Sequence, residues 1–356
     1  MSNTQVKAPM RPHGILTFPA SRFAARCIGA VKERWQRWVP WEWVVRRGLE
    51  NSLHFVCHAS SYEQPKHLSH LYPVSMPEDI DTVCKNIARK YKVIGTEEYV
   101  DRVRRNKLKE KQALATVTCD DGLREFKTYL WPIIKKHSIP CTLFLVKDFV
   151  EQNEYFYRFK TSLILDVLDE PKASKQARDC LEQLGRDVDS QKSLKTAVTQ
   201  IHDPEDHWLL DKLVEALGIN IELYFEEKKP FLDRAEVLEL HNDGVRLGSH
   251  GVRHHRYDLL SPDKIAEDIL DGVTYIQKLS GQMTVEHAFP FHGRKVSREL
   301  LHKILSSQSV LTHFFDTGGI CRDAPFVTHR IVLDSVKPRN ALRQAAYQYI
   351  NSHYFS

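Results

Sequence analysis

Two polar segments contain the residue types that a metal-dependent hydrolase needs. Asp120 and Asp121 are adjacent in the sequence TCDDG, and His250 and His254 lie four positions apart in the sequence SHGVRH. A divalent cation is held by carboxylates and neutral imidazoles, and hydrolysis also needs a free carboxylate that accepts a proton from water. The two segments therefore predict a metal site formed by Asp121, His250 and His254, with Asp120 as the free carboxylate.

Each segment taken alone also has an ordinary structural explanation. An Asp-Asp-Gly sequence after a strand is often a turn that caps a helix, and a chain with 18 histidines contains a His-x-x-x-His pair by chance. The two segments together are a stronger indication, because each follows an apolar run that is typical of a buried strand. The carboxyl ends of parallel strands meet at one edge of a sheet, where α/β barrel enzymes carry their active sites.

The rest of the chain alternates between strand and helix patterns. Short apolar runs predict strands at 53–57, 114–119, 141–146, 245–248, 287–291, 310–315 and 330–333. Helical patterns cover 77–90, 96–107, 262–280 and 297–305, and the third of these has Ser261 as cap and Gly281 as stop. The alternation predicts a parallel sheet covered by helices, either a closed or nearly closed barrel or a doubly wound sheet.

The chain also divides into segments of different composition. Residues 1–50 hold nine Lys/Arg against three Glu, together with four of the six tryptophans, and predict a basic helical arm. Such an arm suits either a helix packed on the main domain or a helix at an anionic membrane surface. We expect the catalytic domain at 51–340, interrupted by a charged, helix-forming insertion at 155–230, and a C-terminal helix at 341–356.

Composition limits the class of protein. The 356 residues suffice for one large α/β domain with an appendage. Seven scattered cysteines without a Cys-x-x-Cys pair indicate neither a disulfide framework nor a structural zinc site, and they favour a reducing compartment. Because the sequence has no apolar run of membrane-spanning length and no secretory signal pattern, we expect a cytoplasmic protein, membrane-peripheral only through the arm. The near-neutral body has no basic stripe, so we expect no nucleic-acid partner.

Four segments resemble successive motifs of the polysaccharide deacetylases, the NodB-type carbohydrate esterases. They are ATVTCDDG at 115–122, CTLFLV at 141–146, GSHGVRH at 248–254 and AFPF at 288–291. The resemblance extends over about residues 52–335. It implies a distorted (β/α) barrel that binds a divalent metal, usually zinc, and removes N- or O-acetyl groups from sugars.

The resemblance also assigns roles to individual residues. It implies the three metal ligands given above and Asp120 as general base, and it adds the backbone N–H of Phe291 as part of an oxyanion site. It identifies no general acid for the departing amine, because the usual Leu-x-His element near the C-terminus is not clear in this sequence. A histidine is the natural proton source, and His329 is the first candidate, with His58 and His292 as alternatives.

Two positions depart from the family pattern. The arginine that often precedes the Pro-aromatic element, where it would hold the catalytic aspartate, is replaced by Ala288. Gly251 stands where many members carry Ser or Thr after the first histidine, so one supporting hydroxyl is missing. Neither change removes a predicted metal ligand.

These features together predict a metal-dependent deacetylase. The expected substrate is an N-acetylated sugar of a polysaccharide, a glycolipid or a cell-envelope precursor, and a membrane-lipid carrier would suit the basic arm. One alternative is a C–N hydrolase on the same scaffold that acts on a small cyclic amide or ureide. A second alternative, from a different class, is a catalytically silent module that binds glycans.

Overall fold

The computed structural model describes residues 52–333, apart from 109–110, 154, 187, 189 and 320–322. The predicted arm at 1–50 and the predicted C-terminal helix at 341–356 lie outside the described residues. Among the described helices, none combines the length and the apolar character that crossing a membrane requires.

The described residues form one sheet of nine parallel strands. The strands are β1 Ser52–Cys57, β2 Lys92–Val93, β3 Leu114–Cys119, β4 Cys141–Leu145, β5 Arg246–Ser249, β6 Val285–Ala288, β7 Leu311–Asp316, β8 Val327–His329 and β9 Ile331–Val332. Their order is β8-β7-β6-β5-β4-β3-β1-β9, and β2 pairs with the beginning of β3. Since β8 pairs with β7, β9 pairs with β1, and only Arg330 separates β8 from β9, the two ends of the sheet meet. The fold is therefore a nearly closed barrel, which confirms the predicted distorted (β/α) barrel over the doubly wound sheet.

The three longest strands, β1, β3 and β7, are buried at every position. Strands of a parallel sheet that is covered on both faces need apolar or hydrogen-bonded side chains throughout, and these three sequences meet that need. Helices pack around the sheet: α1 Pro77–Lys90, α2 Thr96–Arg104, α3 Trp131–Lys136, α4 Lys147–Val150, α10 Arg234–Asn242, α11 Pro262–Ser280 and α12 Arg298–Ser306.

Helix α11 has the boundaries that its sequence predicts. The Ser261 hydroxyl accepts a hydrogen bond from the Lys264 N–H, and Pro262 occupies the first turn, where its missing N–H costs nothing. Gly281 ends the helix at φ 71°, a left-handed conformation that glycine adopts without strain. The helix buries one apolar stripe, which includes Ile265 and Ile269, and contacts β5 and β6.

The helical insertion predicted at 155–230 consists of five helices between β4 and β5. They are α5 Tyr157–Val167, α6 Pro171–Gln183, α7 Gln191–Thr199, α8 Trp208–Ala216 and α9 Ile221–Lys228. Their apolar side chains form a core that also includes Leu123 and Phe149. Leu123 follows β3 and Phe149 follows β4 in the chain. The insertion is therefore anchored at the carboxyl edge of the barrel, where the predicted catalytic residues also lie.

The structure differs from the sequence prediction in the position of β6 and in two short strands, β2 and β8, that were not predicted. The predicted strand 287–291 is β6 at Val285–Ala288, because the chain leaves the sheet after Ala288 and Phe291 adopts φ 57°. The predicted last strand 330–333 is β9, preceded by the unpredicted β8. Short strands such as β2 and β8 give too few alternating residues for a recognisable pattern.

Two buried histidines have hydroxyl partners within the fold. His54 Nδ1 lies 2.9 Å from Thr116 Oγ1, and His313 Nε2 lies 2.8 Å from Thr328 Oγ1. Burial lowers the pKa of each imidazole to about 3. Both rings are therefore neutral in the folded protein at neutral pH.

These neutral histidines predict a loss of stability in acid. Below about pH 6.5 the unfolded chain takes up protons on both imidazoles, whereas the folded chain does not until the pH approaches about 3. Each histidine should lower the free energy of unfolding by about 1.4 kcal/mol per pH unit within that window. Urea unfolding of wild type and His313→Gln between about pH 7 and about pH 5 measures this slope, which should be shallower in the variant. His302→Gln, at an exposed position, is the control, and equal slopes in all three proteins would contradict the prediction.

Candidate active site

The three predicted metal ligands lie together at the carboxyl edge of the barrel. Asp121 follows β3, His250 follows β5, and His254 ends the same loop. Asp121 Oδ1 is 3.3 Å from His250 Nε2 and 3.1 Å from His254 Nε2, and one ligand atom from each residue lies within 4.8 Å of the others. Ligand atoms around a tetrahedral zinc ion are separated by roughly 3.3 Å, so these distances suit a shared cation.

Both imidazoles are oriented with Nε2 toward Asp121. His250 Nδ1 lies 2.9 Å from the backbone oxygen of Ala288, which fixes the proton on Nδ1 and leaves Nε2 as a lone-pair donor. The His254 ring is enclosed by aromatic rings, among them Phe156 and Phe291 at centroid distances of 4.8 and 4.7 Å. Burial lowers the pKa of His254, which favours the neutral form that binds a metal.

Asp268 on α11 holds the loop between the two histidines in place. The Asp268 carboxylate accepts hydrogen bonds from the Val252 N–H at 3.1 Å and from the Tyr257 hydroxyl at 2.6 Å. Gly251 has φ 81°, and a Cβ there would collide with Asp268. This position therefore requires glycine, and the serine or threonine that the resemblance would place here does not fit.

The site fits a divalent cation on the evidence of its own atoms. Asp121 Oδ1 is buried and receives no hydrogen bond, although two imidazole nitrogens face it. Burial would raise the pKa of Asp121, but His254 and His250 hold it well below its usual range, so the carboxylate is charged. One carboxylate and two neutral imidazoles form a typical three-residue set for catalytic zinc.

Asp120 lies beside this set and is held by a different residue. Arg330 donates to both carboxylate oxygens of Asp120, at 2.7 and 2.8 Å, and to the Thr118 hydroxyl at 2.9 Å. Burial would raise the pKa of Asp120, but Arg330 and His250 hold it below its usual value. Asp120 Oδ2 is 4.0 Å from His250 Nε2. The carboxylate is therefore ionised, close to the ligands and free to accept a proton.

Arg330 is a residue of this site that the sequence analysis did not identify. Its side chain is fully buried between β8 and β9, with its guanidinium carbon 5.2 Å from the centroid of the Phe144 ring. Arg330, which lies between β8 and β9, makes the contact with Asp120 that the resemblance would expect from an arginine in place of Ala288. The available signal was a lone arginine within the apolar sequence RIVL, since a charge inside a buried strand needs a partner.

The candidate general acids and Phe291 differ in whether they line a cavity of about 320 Å³ beside the ligand residues. His58 lines this cavity, whereas His329 lies outside it with Nε2 2.8 Å from Asp323 Oδ2. His292 is also outside the lining. Phe291 lines the cavity at φ 57°, and its N–H makes no hydrogen bond within the described part of the chain. The full lining is His58, Leu71, Tyr72, Pro73, Asp120, Asp121, Phe156, Arg158, Phe159, His250, His254, Phe289, Phe291, Thr317 and Val332.

Comparisons with known proteins agree with this geometry. A family model described as polysaccharide deacetylase matches residues 107–308, which is more than half of the chain. The Streptococcus pyogenes deacetylase PplD, solved in complex with acetate, is 16% identical, with 82% of this chain and 96% of that chain covered and a TM-score of 0.53. IcaB from Ammonifex degensii is 16% identical, with 84% and 99% covered and a TM-score of 0.46. None of the curated proteins matches the sequence significantly.

The buried pair of Arg330 and Asp120 predicts a large effect of substitution on stability. Arg330→Gln leaves the Asp120 carboxylate buried without a cationic partner, and the free energy of unfolding should fall by about 3–5 kcal/mol. The double variant with Asp120→Asn should lose less than the sum of the two single variants, because the removed charges interact. Chemical denaturation measures all three values.

The control for this cycle is Arg105→Gln, which removes an exposed ion pair between Arg105, at the end of α2, and Asp101 within α2. Its cost should be about 0.5 kcal/mol or less. A loss from Arg330→Gln as small as that of the control would show that the buried pair does not stabilise the barrel.

Proposed function

Because the chain belongs to the polysaccharide deacetylase family, we propose that it is a metal-dependent hydrolase that removes the acetyl group from an N-acetylated sugar. The observation that carries the proposal is the pairing of the Asp121, His250 and His254 cluster with an ionised Asp120 at its side. An amide carbonyl is a poor electrophile, and its hydrolysis needs both a Lewis acid and a base. The cluster and Asp120 supply sites for both.

The three ligand residues would hold a divalent cation, most naturally Zn²⁺. When bound, this ion acts as a Lewis acid toward the acetyl carbonyl and toward water. Proton transfer from water falls to residues of the chain. Asp120 accepts the proton of the attacking water on a carboxylate oxygen, and Arg330 keeps that carboxylate oriented and ionised until it does.

Two further groups would act on the tetrahedral intermediate. The Phe291 N–H, which has no other acceptor in the described part of the chain, is available to the developing oxyanion. The His58 imidazole lines the same cavity as Asp120 and is among the groups that lower the pKa of that carboxylate. We assign to His58 the delivery of a proton to the departing amine.

The cavity wall suits a sugar substrate. Five aromatic side chains line it, namely Tyr72, Phe156, Phe159, Phe289 and Phe291. Sugar rings present C–H faces that pack on aromatic rings, and these rings also exclude water from the reacting bond. The substrates that we propose are an acetylated polysaccharide, an acetylated glycolipid or an acetylated precursor of the cell envelope.

Metal content and turnover should separate the ligands from the base. His250→Ala and His254→Ala should lose most of the bound metal, because each removes one of three protein ligands. Asp120→Asn should retain the metal and lose turnover by about 10²- to 10⁴-fold. Elemental analysis and acetate release from an N-acetylated sugar oligomer measure both. Equal metal content in wild type and all three variants would contradict the metal site. Release of ammonia or a ring-opened product in place of acetate would favour the cyclic-amide alternative.

The general acid is tested by a pair of histidine variants. His58→Gln should lower kcat by about 10²-fold or more with unchanged metal content, because the amine would leave without a positioned proton. His329→Gln serves as the matched control, since His329 is outside the cavity, and it should retain most of the activity. The opposite pattern would assign the acid to His329.

A further inference from the structure

Arg158 belongs to the helical insertion, and its side chain places a positive charge in the wall of the cavity. It lies in the first turn of α5 and lines the same cavity as Asp120 and His254. Its guanidinium carbon lies 5.5 Å from the centroid of the Phe291 ring. The aromatic face therefore orients the side chain at the site where the acetyl group would react.

The Arg158 guanidinium has no hydrogen bond or ion pair with any described residue. Other arginines with limited exposure are paired: Arg124 with Glu236, Arg246 with Glu286, Arg298 with Asp323 and Arg330 with Asp120. The neighbouring Arg256 is also neutralised, by Asp258 at 2.9 Å. Arg158 is thus a partly buried cation whose donors remain available to something that enters the cavity.

The charge of the cavity favours an anion there. Of the two carboxylates that line it, Asp120 is neutralised by Arg330, and Asp121 belongs to the metal ligands. With Arg158 added, the two carboxylates are balanced by two guanidinium groups, so any divalent cation gives the cavity net positive charge. The planar guanidinium fork matches the oxygens of a phosphate or a carboxylate.

We propose that Arg158 is a specificity-determining residue that binds a phosphate or carboxylate group carried by the acetylated sugar. The substrate class is then an anionic N-acetylated sugar, in which the charged group sits on Arg158 while the acetamido group faces the metal ligands. This inference rests on the proposed function and narrows its substrate.

Three sugars that differ in charge test the proposal. They are N-acetylglucosamine 1-phosphate, N-acetylmuramic acid, which carries a carboxylate, and the neutral methyl glycoside of N-acetylglucosamine. Wild type should show a kcat/KM for one of the anionic sugars about ten- to a hundredfold above that for the neutral sugar. Arg158→Gln should abolish this preference, because its loss of kcat/KM on the anionic sugar should exceed its loss on the neutral sugar by about the same ten- to a hundredfold factor, and Arg158→Lys should restore part of the preference. The preferred anionic sugar identifies phosphate or carboxylate as the group that is bound.

Lys160→Gln is the matched control, because it removes one positive charge from the same helix at a residue paired with Asp211. It should leave the preference unchanged. An equal loss on all three sugars in Arg158→Gln, or no loss on any, would overturn the proposal and leave Arg158 as a structural partner of Phe291.

A binding measurement separates this proposal from the proposed function. Calorimetry with N-acetylglucosamine 1-phosphate and with N-acetylmuramic acid reports anion binding without turnover. If wild type hydrolyses none of the sugars but binds an anionic one in an Arg158-dependent way, the proposed deacetylation fails and the Arg158 site stands. If wild type hydrolyses the neutral sugar and binds neither anionic sugar more tightly than Arg158→Gln does, the proposed deacetylation stands and the Arg158 site fails.

Discussion

The buried ion pair between Arg330 and Asp120 is the constraint on which both the barrel and its chemistry depend. Arg330 separates β8 from β9 at the seam where the sheet closes, and its backbone N–H bonds to the Asp316 oxygen on β7. Its side chain holds the carboxylate that follows β3. A buried arginine without a carboxylate, or the carboxylate without the arginine, would be strongly destabilising. The same contact therefore completes the barrel and keeps the carboxylate of Asp120, the proposed base, ionised.

The site is also built from backbone conformations that most residues avoid. Asp121, His254 and Phe291 all have positive φ, at 72°, 57° and 57°. Left-handed conformations of non-glycine residues cost free energy and persist only where surrounding structure imposes them. Here the imposing structure is the sheet, from which each residue follows within a few positions, and the Asp268 contact that holds the histidine loop. Part of the stability that packing gives the barrel therefore offsets the strain in the backbone of these three cavity residues.

The sequence predicts what short-range signals encode. The strand Leu114–Cys119 and the helix Pro262–Ser280 have the predicted bounds, because apolar β-branched runs and caps are local features. The cluster of Asp121, His250 and His254 follows from the rule that parallel strands carry their sites at one edge. The role of Arg330 and the presence of Arg158 in the cavity depend on contacts between distant segments. The apolar run after Arg330 marks that arginine as a buried charge, but no local pattern identifies Asp120 as its partner or distinguishes Arg158 from the arginines that face solvent.

The distance along the chain between the partners of the closing ion pair has a consequence for biosynthesis. Asp120 and Arg330 are 210 positions apart, and the five helices of the insertion lie between them. While the chain emerges from the ribosome, the strands up to β7 are made before Arg330 is available to pair with Asp120. Contacts of such long sequence separation form slowly and late. Until β8 and β9 are synthesised, the earlier strands cannot close into a barrel, and the edges of β1 and β7 stay open to association with other chains or with chaperones.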